Sequence, residues 1–428
     1  MQTLTATLPS WRPVEKIVFR FCFLYFLIYI FFTPNNEIPV INSIYEVLNE
    51  QLHRFIPWFA NMFFGYKQPI TIFTNGSGDT TYDYILWYFC IILTTLGTIV
   101  WSVLDRKRRS YTTLYYWIRV IVRYYLFYTM IVYGAYKVIK LQFPFPYLSR
   151  LVQPYGESSP MGLAWTYMGY STTYNYFTGY AELIGGILLL FRKTTPLGAL
   201  ICLGVMTNVF MINMSFDVPV KLLSFNTILM CLFLLWKDGK RMFNFFILNK
   251  PTDPANIELP YQNKKLRYAL IGLRLLIIFF VFWMTFPDAI EAQRTSGDNA
   301  PKIPLYGIYY TQHFIRNKDT LPPLDTDTSR WERLIIQRQN FAAIRLNNDT
   351  TRNYNFRIDS ISKTAVVYPF WDTLDKSHFK YVADSGRLVL TGKMKNDSVQ
   401  IVLKRFDEHN FRLVNRGFHW INEFPYNR

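Results

Sequence analysis

The sequence predicts an α-helical polytopic membrane bundle of about seven spans, followed by a small all-β antiparallel domain, barrel or sandwich. Three observations predict it. The long apolar runs, each near the roughly 20 residues that a span requires, lie before residue 287. From about residue 330 onward apolar and polar residues alternate with period two, broken by turn residues. Cationic clusters sit at the ends of the apolar runs, mostly on one side.

Composition narrows the function classes. The chain has 428 residues; 51% are apolar and 18% aromatic, which excludes a disordered or fibrous protein. The net charge of +17 does not point to nucleic acid. It is spread over span ends, and no soluble segment carries a basic stripe with interleaved aromatics. Walker and Rossmann glycine motifs are absent. Cys22, Cys90, Cys202 and Cys231 all fall in apolar runs and read as buried structural thiols. Among His53, His313, His378, His409 and His419 there is no metal-ligand spacing, so no metal site is expected.

Seven segments read as spans: 17–33, 82–104, 114–139, 173–191, 196–213, 218–236 and 266–286. The first is long, rich in Phe and Tyr, and lacks a small-x-small cleavage site, so it is read as a span and not a signal peptide. Arg12, Lys16 and Arg20 precede it; Arg106 to Arg109 follow the second; Arg192 and Lys193 separate the fourth and fifth. Lys237, Lys240, Arg241, Lys250, Lys264, Lys265 and Arg267 lie between the sixth and seventh. The positive-inside rule then puts the N-terminus in the cytoplasm and the C-terminal part across the membrane. Segment 40–66 reads as helix in or near the outer interface. Thr195-Pro196, Asp217-Val218-Pro219 and Ser159-Pro160 read as helix caps followed by helix starts.

In the tail, ERLIIQ, NFAAIRL, NYNFRI, TAVVYPF, HFKYV, RLVLT, SVQIVLK and FRLV are the expected strands, with 287–329 a linker and lead-in. A barrel this small is expected to be filled by side chains more often than by a ligand. The expected domains are 1–113, 114–240, 241–290 and 291–428.

Ionisable residues inside spans mark candidate sites. Arg123 and Lys137, fourteen residues apart, share one face of the third span. Arg119 and Lys137 are near opposite ends, where snorkelling to the interface is the plain expectation. Glu182 lies roughly 13 Å below the outer end of the fourth span, among Gly179, Gly185 and Gly186. It must be paired with a lysine of another span, protonated, or facing a wet cavity. Asp217 is expected to cap and pair with Lys221, whose side chain is long enough to reach toward Glu182. Lys137, Glu182, Asn208, Asp217 and Lys221, with Tyr133 and Tyr180, form the candidate ligand site. Asp79, Trp165 and His419 are the candidate external mouth, beside the lid-like loop 141–171.

The third to sixth spans resemble the DoxX-like family of small membrane proteins. The resemblance rests on Tyr133-Gly134-Ala135-Tyr136-Lys137, on Phe177-Thr178-Gly179-Tyr180-Ala181-Glu182 with Gly185-Gly186, on Gly198-Ala199-Leu200 and Asn208, and on Asp217-Val218-Pro219-Val220-Lys221. It covers about 120 residues and implies a four-helix membrane core, a bacterial inner-membrane location, Bacteroidetes-type added spans, and a periplasmic tail. It also implies that the chain could serve a quinone-linked redox complex, with a quinone as the one cofactor to consider. The resulting expectations are four. A membrane binding or accessory protein for a lipid or quinone, with a periplasmic protein partner, stands first. A membrane enzyme, a transporter and a structural scaffold are the alternatives.

Overall fold

A computed structural model describes residues 11–32, 39–70, 78–254 and 263–427 of the chain. It divides into two compact units, Met1–Phe143 with Ser159–Gln293, and Pro144–Ser158 with Arg294–Arg428. The helices are α1 (Pro13–Phe32), α2 (Pro39–Phe64), α3 (Thr81–Leu104), α4 (Thr112–Val138), α5 (Leu148–Leu151), α6 (Pro160–Tyr170), α7 (Thr172–Leu189), α8 (Thr195–Ser215), α9 (Lys221–Leu235), α10 (Gly239–Phe246), α11 (Lys264–Ser296) and α12 (Arg412–Asn415). The strands are β1 (Gly307–Arg316), β2 (Asp319–Thr320), β3 (Trp331–Arg338), β4 (Phe341–Leu346), β5 (Thr351–Asp359), β6 (Thr364–Pro369), β7 (Ser377–Ala383), β8 (Arg387–Met394) and β9 (Asp397–Phe406).

Among the described residues, each of the seven expected spans falls largely on a helix. Among the described residues, four helices are long and apolar enough to cross a membrane: α3, α8, α9 continued through α10, and α11. The helices α1, α4 and α7 carry charge, and part of it is turned inward. Arg20, Arg123, Lys137 and Glu182 are all buried. Mean hydropathy counts such a residue the same whether it faces lipid or the bundle interior, so an inward charge lowers the score without exposing polar surface.

The helical unit is built around α4. Tyr115, Ile118, Val122, Leu126 and Met130 of α4 pack against Phe26 and Tyr29 of α1, Cys202 and Met206 of α8, and Met230 and Leu234 of α9. A second cluster joins Phe127 and Ile131 to Leu183 and Leu190 and to Val281 of α11. Polar side chains tie the helices together. Arg20 donates from Nε and Nη2 to the Tyr111 hydroxyl at 2.9 and 2.7 Å, from Nη1 to Ser102 Oγ at 2.9 Å, and from Nη2 to the Asp105 carbonyl at 2.9 Å. Tyr111 in turn donates to Asp105 Oδ2 at 2.9 Å. Trp87 donates to the Tyr25 hydroxyl at 2.8 Å, and Tyr25 donates to Asn226 Oδ1, which links α3, α1 and α9.

Two of the expected caps differ from the sequence reading. The cap position before α8 is Thr194, one residue earlier than expected, with Thr195 already helical. Asp217 does not cap α9. It takes a left-handed φ of 52° in the connecting turn and its side chain is 88% exposed. The first amides of α9 are instead met from another loop: Asp79 accepts from the Lys221 and Leu222 N–H groups at 2.6 and 3.0 Å. A carboxylate there suits the positive end of the helix. Ser159 caps α6 as expected, accepting from the Gly162 N–H at 3.1 Å. Residues 71–77 of the loop that carries Asp79 lie outside the described residues.

The second unit is an eight-stranded antiparallel barrel. The order β1-β3-β4-β5-β6-β7-β8-β9 closes where β9 pairs back with β1, and β2 extends one end of β1. Closure leaves no long edge free. Alternation gives the inner face Phe314, Trp331, Leu334, Ile336, Phe356, Phe379, Leu390 and Leu403, all buried in one cluster. Two expectations are corrected. GIYYTQHFIR, taken as lead-in, is the strand β1 that closes the barrel. FRLV, taken as a strand, lies at the start of the single helical turn α12, because β9 already completes the sheet.

The barrel also has a covered outer face. Ile308, Ile335 and Ala343 point away from the interior and bury against Leu148 of α5. Gln337 fixes this contact, accepting from the Ser149 N–H and donating to Ser149 Oγ, both at 2.9 Å. Asp298 accepts from the Phe145 N–H at 2.9 Å. Segment 144–158 therefore belongs to the barrel by packing, although it lies between helices in sequence.

Gly392 sits where β8 meets β7, and a Cβ there would lie 1.9 Å from the His378 carbonyl oxygen. Gly392→Ala is expected to cost about 1–3 kcal/mol in barrel stability. Hydrogen exchange of the β7 and β8 amides in the intact protein measures it, and unchanged protection would refute the clash. The carboxylate of Asp327 is partly desolvated, which raises its pKa. Hydrogen bonds from the Ser329 and Arg330 N–H groups and the Ser329 hydroxyl outweigh this and hold it below the usual Asp value. Its stabilisation is therefore present above about pH 4 and lost as pH falls through the lower folded value. Asp327→Asn is expected to flatten the acid limb of barrel stability in that window alone.

Candidate functional site

The site begins with two glycines. On α4 and α7 a Cβ at Gly134 would lie 2.9 Å from the Gly179 carbonyl, and one at Gly179 would lie 2.9 Å from the Gly134 carbonyl. Only bare backbone lets the helices cross this closely. Three residues further along each helix, on the same face, come Lys137 and Glu182. The crossing brings them together: Lys137 Nζ donates to Glu182 Oε1. Both are enclosed, at 5% and 1% exposure. The expectation that Lys137 snorkels outward is corrected; it turns in to its counter-ion. Lys221 does not reach Glu182. It lies 3.3 Å from Asp217 and 3.9 Å from Asp79.

The pair lines a cavity of about 320 Å³ inside the helical unit. Its walls come from α4 (Thr129, Tyr133, Lys137), the following loop (Gln142, Phe143), α6 (Trp165, Met168), α7 (Phe177, Thr178, Ala181, Glu182), α8 (Gly204, Asn208, Ile212) and the approach to α9 (Val218, Val220). The lining is mostly apolar, with a few polar side chains among it, the usual make-up of a small-molecule site. Glu182 Oε2 is buried and meets no hydrogen-bond partner among the described residues, and the same holds for Gln142 Oε1.

Of the residues picked from sequence, Lys137, Glu182, Asn208, Tyr133 and Trp165 line this cavity. Trp165 is packed edge-on against Phe143 at 5.1 Å. The others are elsewhere. Tyr180 faces outward and is half exposed, two residues and most of a helix face away from Glu182. Asp217 and Lys221 belong to the α8–α9 turn. Asp79 caps α9 and borders a separate hollow with Tyr84 and Tyr88. His419 lies on the exposed chain after α12 in the barrel unit. Asn213, which also lines the cavity, has a structural task, donating to the Val220 carbonyl and Ser224 Oγ, each at 3.1 Å. Arg119 and Arg123 do likewise at the opposite end of α4. Arg123 donates to the Leu189 carbonyl at 2.8 Å and Arg119 to the Leu234 carbonyl at 3.1 Å. Each meets a carbonyl that its helix leaves open at the C-terminus. The sequence reading missed Gln142, whose signal was a polar side chain just past the end of α4.

Fold and site together define a helical bundle with a buried ion pair in an internal cavity, joined to a β-barrel. No family model matches the chain, and no solved structure matches it. A stretch of 138 residues, 32% of this chain, is 36% identical to the uncharacterized protein YwoB of Bacillus subtilis (strain 168) and covers 85% of it. The chain belongs to the family of that protein.

The ion pair gives a direct test. Glu182→Leu leaves the Lys137 ammonium buried and unpaired, which is expected to cost about 3–5 kcal/mol. Lys137→Met combined with Glu182→Leu removes both charges and is expected to recover most of that loss. The midpoints of thermal unfolding in mild detergent read both variants. A double variant as unstable as the single one would mean that the cavity depends on more than the pair.

Proposed function

We propose that this chain is a multi-pass membrane protein whose four-helix core, α4 and α7 to α9, binds an amphiphilic small molecule, a lipid or a quinone, in an accessory role. The observation that carries the reading is the carboxylate of Glu182, paired on one oxygen and unmet on the other, at the wall of a mainly apolar cavity. A purely structural ion pair has no need of a hollow beside it, whereas a ligand site has need of both. The helices concerned are those that resemble the DoxX-like family, and that resemblance belongs to the same proposal.

The finer topology is also proposed. Besides the four helices apolar enough to span, α1, α4 and α7 would cross the membrane with their charges turned inward, making seven. On this reading the cationic clusters favour an N-terminus in the cytoplasm of a bacterial inner membrane and a barrel in the periplasm, as an interaction domain for a protein partner. The barrel interior is filled with side chains, so any partner would meet its outer surface.

Native mass spectrometry with lipid extraction, on protein purified in mild detergent, tests the binding reading. Wild type is expected to carry a discrete co-purifying lipid or quinone, and Glu182→Gln to carry markedly less. An empty wild-type cavity, or equal retention by a folded Glu182→Gln protein, would remove the proposal.

A further inference from the structure

The unmet atoms of two residues that line the cavity restrict what it can hold. Glu182 Oε2 and Gln142 Oε1 are both buried acceptors, so an occupant must bring a donor. Lys137 is an ammonium with three N–H groups, of which one is directed to Glu182 Oε1. An occupant that also accepts would use another. A hydroxyl does both with one atom: its O–H donates to the carboxylate and its oxygen accepts from the ammonium. The other common head groups fail on one count or the other. A phosphate or carboxylate sets a negative charge against Glu182. A quaternary ammonium donates nothing, and a primary ammonium accepts nothing and faces Lys137. An ether or a quinone carbonyl accepts only.

Size and exposure set the route. About 320 Å³ lies at the small end of ligand cavities, enough for a head group and a short length of tail. The rest must leave through an opening. At one end α7 and α8 are closed against each other, where a Cβ at Gly198 would lie 2.9 Å from the Gly185 carbonyl. Toward the other end Phe177 of α7 is 69% exposed while lining the cavity. Across from it Gly204 and Asn208 of α8 line the cavity and are exposed too. A Cβ at Gly204 would meet nothing within 4 Å. Since α8 is long and apolar enough to span a membrane, this opening would face acyl chains.

We propose that the cavity takes a hydroxyl-headed membrane amphiphile, an alcohol or a phenol, which enters sideways between α7 and α8. Its O–H donates to Glu182 Oε2, its oxygen accepts from Lys137 Nζ, and its tail runs out past Gly204 into the bilayer. This rests on the amphiphile-binding reading above and narrows it to one head-group chemistry and one path.

The test uses the full chain in proteoliposomes with photoreactive probes at equal mole fraction. The probes are a long-chain alcohol, its methyl ether, a long-chain hydroquinone and its dimethyl ether, each with a diazirine in the tail. Labelled peptides are mapped by mass spectrometry. The hydroxyl probes are expected to label α7 and α8 peptides about tenfold more than their ethers, the order of a lost hydrogen bond to a charged group. Preference for the alcohol or for the hydroquinone names the source. Lys137→Met with Glu182→Leu is expected to lose the preference, with labelling by the hydroxyl probes falling to the level of their ethers. Gly204→Trp is expected to cut labelling severalfold, with Gly204→Ala as the folded control. Equal labelling by alcohol and ether would overturn the hydroxyl assignment while leaving amphiphile binding in place. Undiminished labelling in Gly204→Trp would overturn the route. No cavity labelling by any probe would overturn this inference and the reading beneath it together.

Discussion

The structure depends on how closely α4 and α7 approach. Gly134 and Gly179 each face the other's carbonyl, with no room for a methyl group on either side. That spacing governs the next turn of both helices. There Lys137 and Glu182 are brought into contact, and the charges need no water because each has the other. Remove the close approach and the ammonium and carboxylate separate inside an apolar bundle, where neither is tolerable alone. The glycines are thus a condition of the charged pair, and the pair gives the cavity its charged lining.

A buried ion pair is weak evidence for stability, because desolvation offsets most of the attraction. What distinguishes this pair is its incompleteness. Asp79, by comparison, is a nearly buried carboxylate that accepts two backbone N–H groups and lies near an ammonium. Arg20 is a buried guanidinium with each of its donor nitrogens engaged. These groups hold helices together. Glu182 is held by one oxygen while the other meets no partner among the described residues, in a residue that lines a cavity, a different arrangement in the same protein.

Much of this was legible in the sequence, for reasons that differ from residue to residue. Glu182 stood out because an acid deep in an apolar run is costly, and its glycine neighbours signalled close packing. Its partner was ambiguous. Lys137 and Lys221 both lay at fitting depths, and depth along a helix says nothing about which face a neighbouring helix presents. The Asp79 cap on α9 was invisible, since it joins positions 142 residues apart; Asp217, adjacent to the helix start, looked the better cap until its left-handed turn pointed it into solvent. In the tail, alternation found the inner strands readily. It missed β1, whose pattern is obscured by a bulge between Thr311 and His313 in its pairing with β9.

The strap formed by segment 144–158 has a consequence for how the chain is made. The barrel unit is discontinuous: its first piece precedes α6, and its strands begin only at Gly307. A ribosome completes the strap, then α6 to α11, before the surface that will receive it exists. Leu148 must therefore wait, uncovered, until Ile308, Ile335 and Ala343 have been synthesised and β9 has closed the sheet onto β1. Domains that are continuous in sequence can fold as they emerge; this one is obliged to finish last. The same order means that a fragment starting at residue 294 would lack Leu148, Leu151 and Val152, and would leave the outer face of β3 only partly covered.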